Sequence, residues 1–106
     1  MERTQTNRGF GLILFADRYG TKCSLQESSL ASERAIWFGV DDAEPKVLAS
    51  EAAEHGVATE ETTGWVPYPI PDQVLLTTRM HLTQKQVKGL LPLLTHFAKT
   101  GALPTL

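Results

Sequence analysis

The chain has little of what catalytic and metal-binding proteins usually carry. Its 106 residues include a single cysteine, Cys23, which cannot close an intramolecular disulfide and so fits a reducing compartment. The histidines His55, His81 and His96 lie far apart and, with one cysteine, give no zinc-binding spacing. No glycine-rich phosphate loop and no nucleophile beside a base is evident. We therefore expect a protein that is not an enzyme and uses no cofactor or metal.

The sequence also has no large excess of one charge and no long apolar run. Ten basic and twelve acidic residues are spread along the chain, giving a net charge of −2 and no basic stripe. General attraction to nucleic acid phosphates is therefore not expected. No apolar run approaches the roughly 20 residues that span a bilayer, and no cationic start precedes an apolar core. These absences predict a cytoplasmic protein without a membrane partner.

The composition that remains is typical of one small globular domain. The chain is 42% hydrophobic and 21% charged, which is ordinary for a folded protein. No repeat, low-complexity segment or domain boundary appears, so residues 1–106 are predicted to form a single domain. Residues 1–8 are polar and predicted to be disordered.

Three short apolar segments predict an antiparallel meander in the first half of the chain. Residues 9–16 form an apolar run bounded by glycine, and residues 17–20 carry the Asp and Gly of a turn. Residues 21–26 alternate, which predicts a half-buried strand with Cys23 on its inner side. Residues 35–40 form a third apolar run that ends at a pair of aspartates.

The middle of the chain gives mixed signals. Residues 46–49 suit a short strand, whereas residues 48–55 suit a short helix ended by Gly56, and the helix is preferred because Ala and Glu favour it. Prolines at alternate positions predict an extended segment at residues 65–72, anchored by its apolar side chains. These anchors would be Trp65, Tyr68 and Ile70. Residues 73–79 are predicted to be the last strand.

The C-terminal segment predicts an amphipathic helix. Thr83 and Gln86 have the spacing of a capping box, and Gly101 supplies the end signal. Pro92 lies inside the helix and should bend it. One side is apolar: Val87, Leu90, Leu91, Leu94, Phe97 and Ala98. The predicted fold class is therefore α+β, a small antiparallel β-sheet packed by one bent C-terminal helix that lies across it.

Several polar residues are candidates for ligand binding. Arg79 lies between the predicted last strand and the helix start, where unpaired N–H groups favour an anion. The alternative for Arg79 is a surface salt bridge. The other candidates are Tyr19, Lys22, Gln26, Ser28 and Ser29. Their alternative is a solvated strand face and serines that cap their own backbone.

Three blocks of the sequence resemble a family of small proteins from bacteriophages and prophages. The blocks are DRYGTKCSLQESSLASERAIWFGVDD, GWVPYPIPDQVLLTTRMHL and TQKQVKGLLPLLTHFAKTGAL, and they cover roughly three fifths of the chain. The family pattern is D-x-Y-G-x-x-C-S-L-Q-x-S-S followed by R-M-H-L-T-x-x-Q-V. The resemblance implies phage origin and a location in the host bacterial cytoplasm, without implying a particular activity.

The resemblance leads to two main hypotheses. In the first, the chain is a homo-oligomer that counters bacterial immune defence by sequestering a nucleotide signal. Arg79 and Lys22 would then pair with phosphates, and Tyr19 or Trp37 would stack on a base. In the second, the helix or residues 65–71 block a host defence nuclease or polymerase. A third hypothesis, direct DNA binding, is disfavoured by the negative charge.

Overall fold

The fold is described from a computed structural model covering residues 1–76 and 78–105. A five-stranded antiparallel sheet, a two-stranded sheet and one C-terminal helix confirm the predicted α+β class. In chain order the elements are β1 (Glu2–Gln5), β2 (Gly11–Ala16), β3 (Lys22–Glu27), β4 (Ala35–Val40), β5 (Lys46–Leu48), a 3-10 helix (Ala49–His55), β6 (Trp65–Pro67), β7 (Arg79–Thr83) and α1 (Gln84–Thr100).

Contacts group the chain into two compact units. The first, which we call the sheet unit, comprises Met1–Asp41 and the segment from Arg79 onward. The second, the middle unit, is Asp42–Thr78. The sheet unit contains the candidate ligand-binding residues, so it positions the site.

The sheet unit follows the predicted meander and adds strands at both edges. The strand order is β1-β2-β3-β4-β7, with every pair antiparallel. The β2–β3 turn forms as its residues predict, because the Asp17 carboxylate accepts the N–H groups of Tyr19 at 2.8 Å and Thr21 at 3.0 Å. Gly20 takes a positive φ of 80° there, which favours glycine.

The pairing register separates an apolar face of this sheet from a polar one. Along each strand, alternate residues lie on the same side of the sheet. Residues that pair across neighbouring strands also share a side, as in the pairs Leu25↔Phe38 and Phe38↔Met80. We call one side the apolar face; on β2, β3, β4 and β7 it comprises Ile13, Phe15, Cys23, Leu25, Ile36, Phe38, Val40, Met80 and Leu82, with Arg3 of β1 and Glu27 of β3 on the same side. Cys23 is a buried free thiol on this face, as predicted.

The N-terminal residues form a strand that the sequence pattern does not predict. Residues 1–8 are polar and were predicted to be disordered, yet Glu2–Gln5 forms β1 and pairs with β2. All four β1 residues are exposed, so the strand is held by backbone pairing rather than by burial. Side-chain pattern gives no signal for such a strand.

The middle unit contains a small apolar core. Strands β5 and β6 pair through Val47↔Val66, and the buried cluster is Val47, Ala49, Ala52 and Val66. Both interpretations of residues 46–56 are partly correct, because a short strand leads directly into a 3-10 helix. Gly56 ends that helix with φ 74°, as predicted.

Two predictions for residues 65–79 need correction. Strand β6 buries Val66, whereas Trp65 is 65% exposed and so is not the expected anchor, because strand alternation turns it outward. The last strand lies at Arg79–Thr83 rather than at residues 73–79, and Leu75 is exposed outside it. Thr77 lies outside the described residues.

Helix α1 begins and ends where its sequence predicts. The Thr83 hydroxyl accepts the Gln86 N–H at 3.1 Å, and the Gln86 side chain accepts the Thr83 N–H at 2.9 Å. Gly101 ends the helix with φ 77°, and Pro92 lies inside it.

The position of the helix differs from the expectation that it lies across the sheet. Among its described residues only Val87 is half-buried, and the others are exposed. Because β7 ends at Thr83 and α1 starts at Gln84, no loop exists to turn the helix back over its own sheet.

Removal of the capping hydroxyl should destabilise the start of α1. For Thr83→Ala we expect a loss of about 1 kcal/mol in the free energy of unfolding, since the Gln86 N–H at the helix start loses its side-chain acceptor. Urea titration followed by circular dichroism at 222 nm measures it. The matched control is Thr95→Ala on the exposed polar side of the helix. Equal losses in the two variants would contradict a capping role.

Candidate functional site

The polar side of the five-stranded sheet gathers hydrogen-bonding and aromatic side chains from three adjacent strands. The register places Gln26, Trp37 and His81 in one cross-strand row, and Ser24, Gly39 and Arg79 in the next. Residues in such rows are neighbours on one face. We call this group the polar strip; it comprises Ser24, Gln26, Ser28, Trp37, Arg79 and His81.

Arg79 is fixed by acceptors two strands away. Its Nη1 donates to Gln26 Oε1 at 3.0 Å and to Ser24 Oγ at 3.4 Å. The strand between them carries Gly39 at the crossing point, so no side chain obstructs the guanidinium. Ser24 is buried and donates its hydroxyl proton to the Asp41 carboxylate. This relay of hydrogen bonds holds a cation in a defined place on the sheet.

An aromatic pair lies beside this cation. The rings of Trp37 and His81 stack with centroids 3.8 Å apart and planes 5° apart. The Arg79 Cζ is 5.7 Å from the Trp37 ring centroid, within the range of a cation–π contact. His81 Nε2 lies 2.9 Å from Ser28 Oγ, which fixes the ring plane. The strip therefore combines one positive group with a rigid flat surface.

The structure brings together some of the predicted site residues. Gln26 and Arg79 are in direct contact, and Ser28 joins the same strip through His81. Lys22 is exposed on the same face of β3, two residues before Ser24.

The other two predicted residues lie in loops at the ends of the sheet. Tyr19 is almost fully exposed in the β2–β3 turn, and Ser29 is exposed in the segment after β3. Ser28 also accepts the Leu30 N–H at 3.2 Å, the local capping expected under the alternative interpretation.

Arg79 does not occupy the position that the sequence predicted for it. We expected it between the last strand and the helix start, but it begins β7, and the helix start is instead satisfied by Thr83 and Gln86. Its hydrogen bonds inside the sheet, rather than helix N–H groups, define its surroundings. Ser24, which lies on the opposite side of β3 from Cys23, is buried.

Sequence reasoning missed His81 and Asp41 as parts of this network. A signal for His81 was present, because residues 79–83 alternate between polar Arg79, His81 and Thr83 and apolar Met80 and Leu82. Placing the last strand too early hid this alternation. Asp41 lies just after β4, and its contact with Ser24 of β3 depends on the register between these two strands.

A methyl group at position 39 should disturb the strip. Gly39 has φ 149°, a conformation that favours glycine, and lies between Ser24 and Arg79. For Gly39→Ala we expect a loss of about 1–3 kcal/mol in the free energy of unfolding and a displaced guanidinium. Urea titration reports the first and the NMR signal of the Arg79 Nε–H group the second. Gly89→Ala, in open space on α1, is the control and should stabilise by about 0.5–1 kcal/mol.

Comparison with known protein families, curated proteins and solved structures found no match. In the described parts of the chain, His, Cys, Asp and Glu side chains form no group of three that could hold a metal ion. Nowhere in residues 1–76 and 78–105 is a helix long and apolar enough to cross a bilayer.

Proposed function

We propose that this chain is a binding protein that holds a nucleotide-type ligand on the polar strip. The observation that carries the proposal is the Arg79 guanidinium, held by Gln26 and Ser24 beside the stacked Trp37–His81 pair. A nucleotide combines an anionic phosphate with a flat base. The strip presents a matching cation and aromatic surface side by side.

The phosphate would bind to Arg79. Both hydrogen bonds to Gln26 and Ser24 use Nη1, which leaves the Nε and Nη2 edge to donate to a ligand. Two parallel N–H groups on one edge match two phosphate oxygens. Lys22, exposed on the same face, would add a second positive charge.

The base would stack on the aromatic pair. His81 is exposed and its ring is already held parallel to Trp37, so a third flat ring can extend the stack without reorganisation. Gln26 uses its Oε1 to accept from Arg79, so its amide NH2 group can donate to such a ring and orient it. Preorganised side chains of this kind lower the entropy lost on binding.

Binding suits the strip better than catalysis does. Ser28 and His81 are within the distance of a nucleophile and its base, but a catalytic pair also needs a third group to orient the histidine. Among the described residues, His81 hydrogen-bonds Ser28 and stacks on Trp37. The Ser28 hydroxyl also serves the Leu30 N–H, which fixes it as a structural acceptor.

The resemblance to phage proteins suggests the biological setting. Phages use small proteins without enzyme motifs to counter host defence, and some of these sequester a nucleotide signal. We propose that the ligand is such a signal of a bacterial immune system, captured in the host cytoplasm. Small size and a positioned cation support this role.

Native mass spectrometry of the protein purified gently from bacterial cells tests the proposal. The expected result is a discrete species that carries extra mass of nucleotide size. Calorimetric titration with a panel of linear and cyclic mono- and dinucleotides then identifies the class. Unchanged binding in an Arg79→Ala, Lys22→Ala double variant would refute the site assignment.

An exposed aromatic segment supports a second candidate function, inhibition of a host defence nuclease or polymerase. Trp65 and Tyr68 are exposed in the middle unit, and such side chains are enriched at the centres of protein interfaces. Pull-down from host lysate with wild-type and Trp65→Ala protein distinguishes the two functions. A stoichiometric host protein lost in the variant would favour inhibition.

A further inference from the structure

The apolar face of the five-stranded sheet is not covered by another element of the sheet unit among the described residues. Cys23 is its one buried member among the described residues; Met80 is about half exposed and the others are half-buried. The cluster of buried apolar side chains lies in the middle unit instead. A sheet with one apolar side is stable when another layer packs on that side. Among the described residues of the sheet unit, the helix α1 contacts β7 and does not supply this layer.

Helix α1 carries apolar side chains that are exposed. Its large apolar side chains are about half exposed: Leu91, Leu94 and Phe97 are between 52 and 57% exposed. They recur at helical spacing on the side opposite Lys85 and Lys88. The direct passage from Thr83 to Gln84 gives the helix no linker with which to fold back.

We propose that these two surfaces are the halves of one interface between two copies of this chain. Helix α1 of each copy packs on the apolar face of the other copy's sheet. The exchange is reciprocal, so one two-fold axis relates two equal contacts and the assembly closes as a dimer.

The dimensions of the two surfaces match. A helix of 17 residues is about 26 Å long. The four strands that form the apolar face span about 14 Å across, and strands of six residues are about 20 Å long. One helix therefore covers the apolar face along its diagonal.

The area is also that of a stable dimer. Leu90, Leu91, Leu93, Leu94 and Phe97 are each about half exposed, and at roughly 100 Å² each they present about 500 Å² per helix. The sheet face is mostly half-buried and adds a smaller area, so the two contacts together bury roughly 1,000–2,000 Å², which includes the size of a standard dimer interface.

Light scattering on a size-exclusion column tests the dimer. The wild type is expected at twice 11.7 kDa at micromolar concentration, and Leu94→Glu at the monomer mass. Thr95→Glu adds the same charge on the adjacent, polar side of the helix and should remain dimeric. A monomeric wild type, or equal behaviour of the two variants, would overturn the proposal.

A mixing experiment distinguishes helix-on-sheet packing from helices that pack on each other. Met80→Glu places a charge on the exposed edge of the apolar face and should also give monomers. In an equimolar mixture of Met80→Glu and Leu94→Glu, the intact helix of the first chain meets the intact sheet of the second. A dimer should reappear. A dimeric Met80→Glu protein, or a mixture that stays monomeric, would exclude this packing; circular dichroism confirms that each variant is folded.

Discussion

Arg79→Ala is expected to weaken binding of the nucleotide-type ligand by about 10- to 100-fold. The guanidinium is the one cation fixed within the polar strip, and hydrogen bonds to charged groups contribute about 1.5–3 kcal/mol each. Titration calorimetry with the ligand found by native mass spectrometry measures the change. Arg79→Lys should recover only part of the affinity, because an ammonium cannot form the paired contact of a guanidinium.

The matched control is Arg3→Ala, which removes the same charge from β1 at the opposite edge of the sheet. The affinity of the Arg3→Ala protein for the ligand should remain within about twofold of the wild type if Arg79 acts through its position and not only through its charge. Equal losses from Arg3→Ala and Arg79→Ala would mean that net charge alone attracts the ligand. That result would refute the polar strip as a built site.

Ala52→Asp should have the largest effect on stability. Ala52 is 1% exposed and packs with Val47, Ala49 and Val66 in the only buried apolar cluster among the described residues. A carboxylate there would lose its hydration without gaining a partner, at a cost of roughly 3–5 kcal/mol. Hydrogen exchange of the β5 and β6 amides should show the loss of protection.

The neighbouring residue provides the control for this substitution. Ala53 belongs to the same 3-10 helix but is exposed, so Ala53→Asp should change the free energy of unfolding by less than about 0.5 kcal/mol. If Ala52→Asp and Ala53→Asp give equal protection, the cluster does not hold the middle unit together.

The parts of the fold that the sequence predicts are those with local causes. Strand β4 has the predicted limits because an apolar run ends at Asp41, and α1 has them because Thr83, Gln86 and Gly101 carry its end signals. Strand β7 was placed too early, since residues 73–79 are also rich in strand-forming side chains. Pairing with β4, a contact distant in sequence, selects Arg79–Thr83 instead.

The sequence predicted several residues of the candidate site, but it did not predict which of them are in contact. Arg79, Gln26 and Ser28 stand out as polar groups, yet their meeting depends on the register between β3, β4 and β7. The Trp37–His81 stack and the gap at Gly39 exist only in that register. The sequence also did not predict that α1 is exposed. An apolar stripe predicts that one side of a helix is buried, but it does not show which surface buries it.

The passage from β7 into α1 without a loop has a thermodynamic consequence. Arg79 begins the strand and Thr83 ends it, so the proposed ligand contact and the proposed dimer contact share one short, stiff segment. A ligand that shifts this strand alters the direction of the helix, and the two binding events become linked. Because such linkage is reciprocal, the factor by which ligand strengthens dimerisation must equal the factor by which dimerisation strengthens ligand binding.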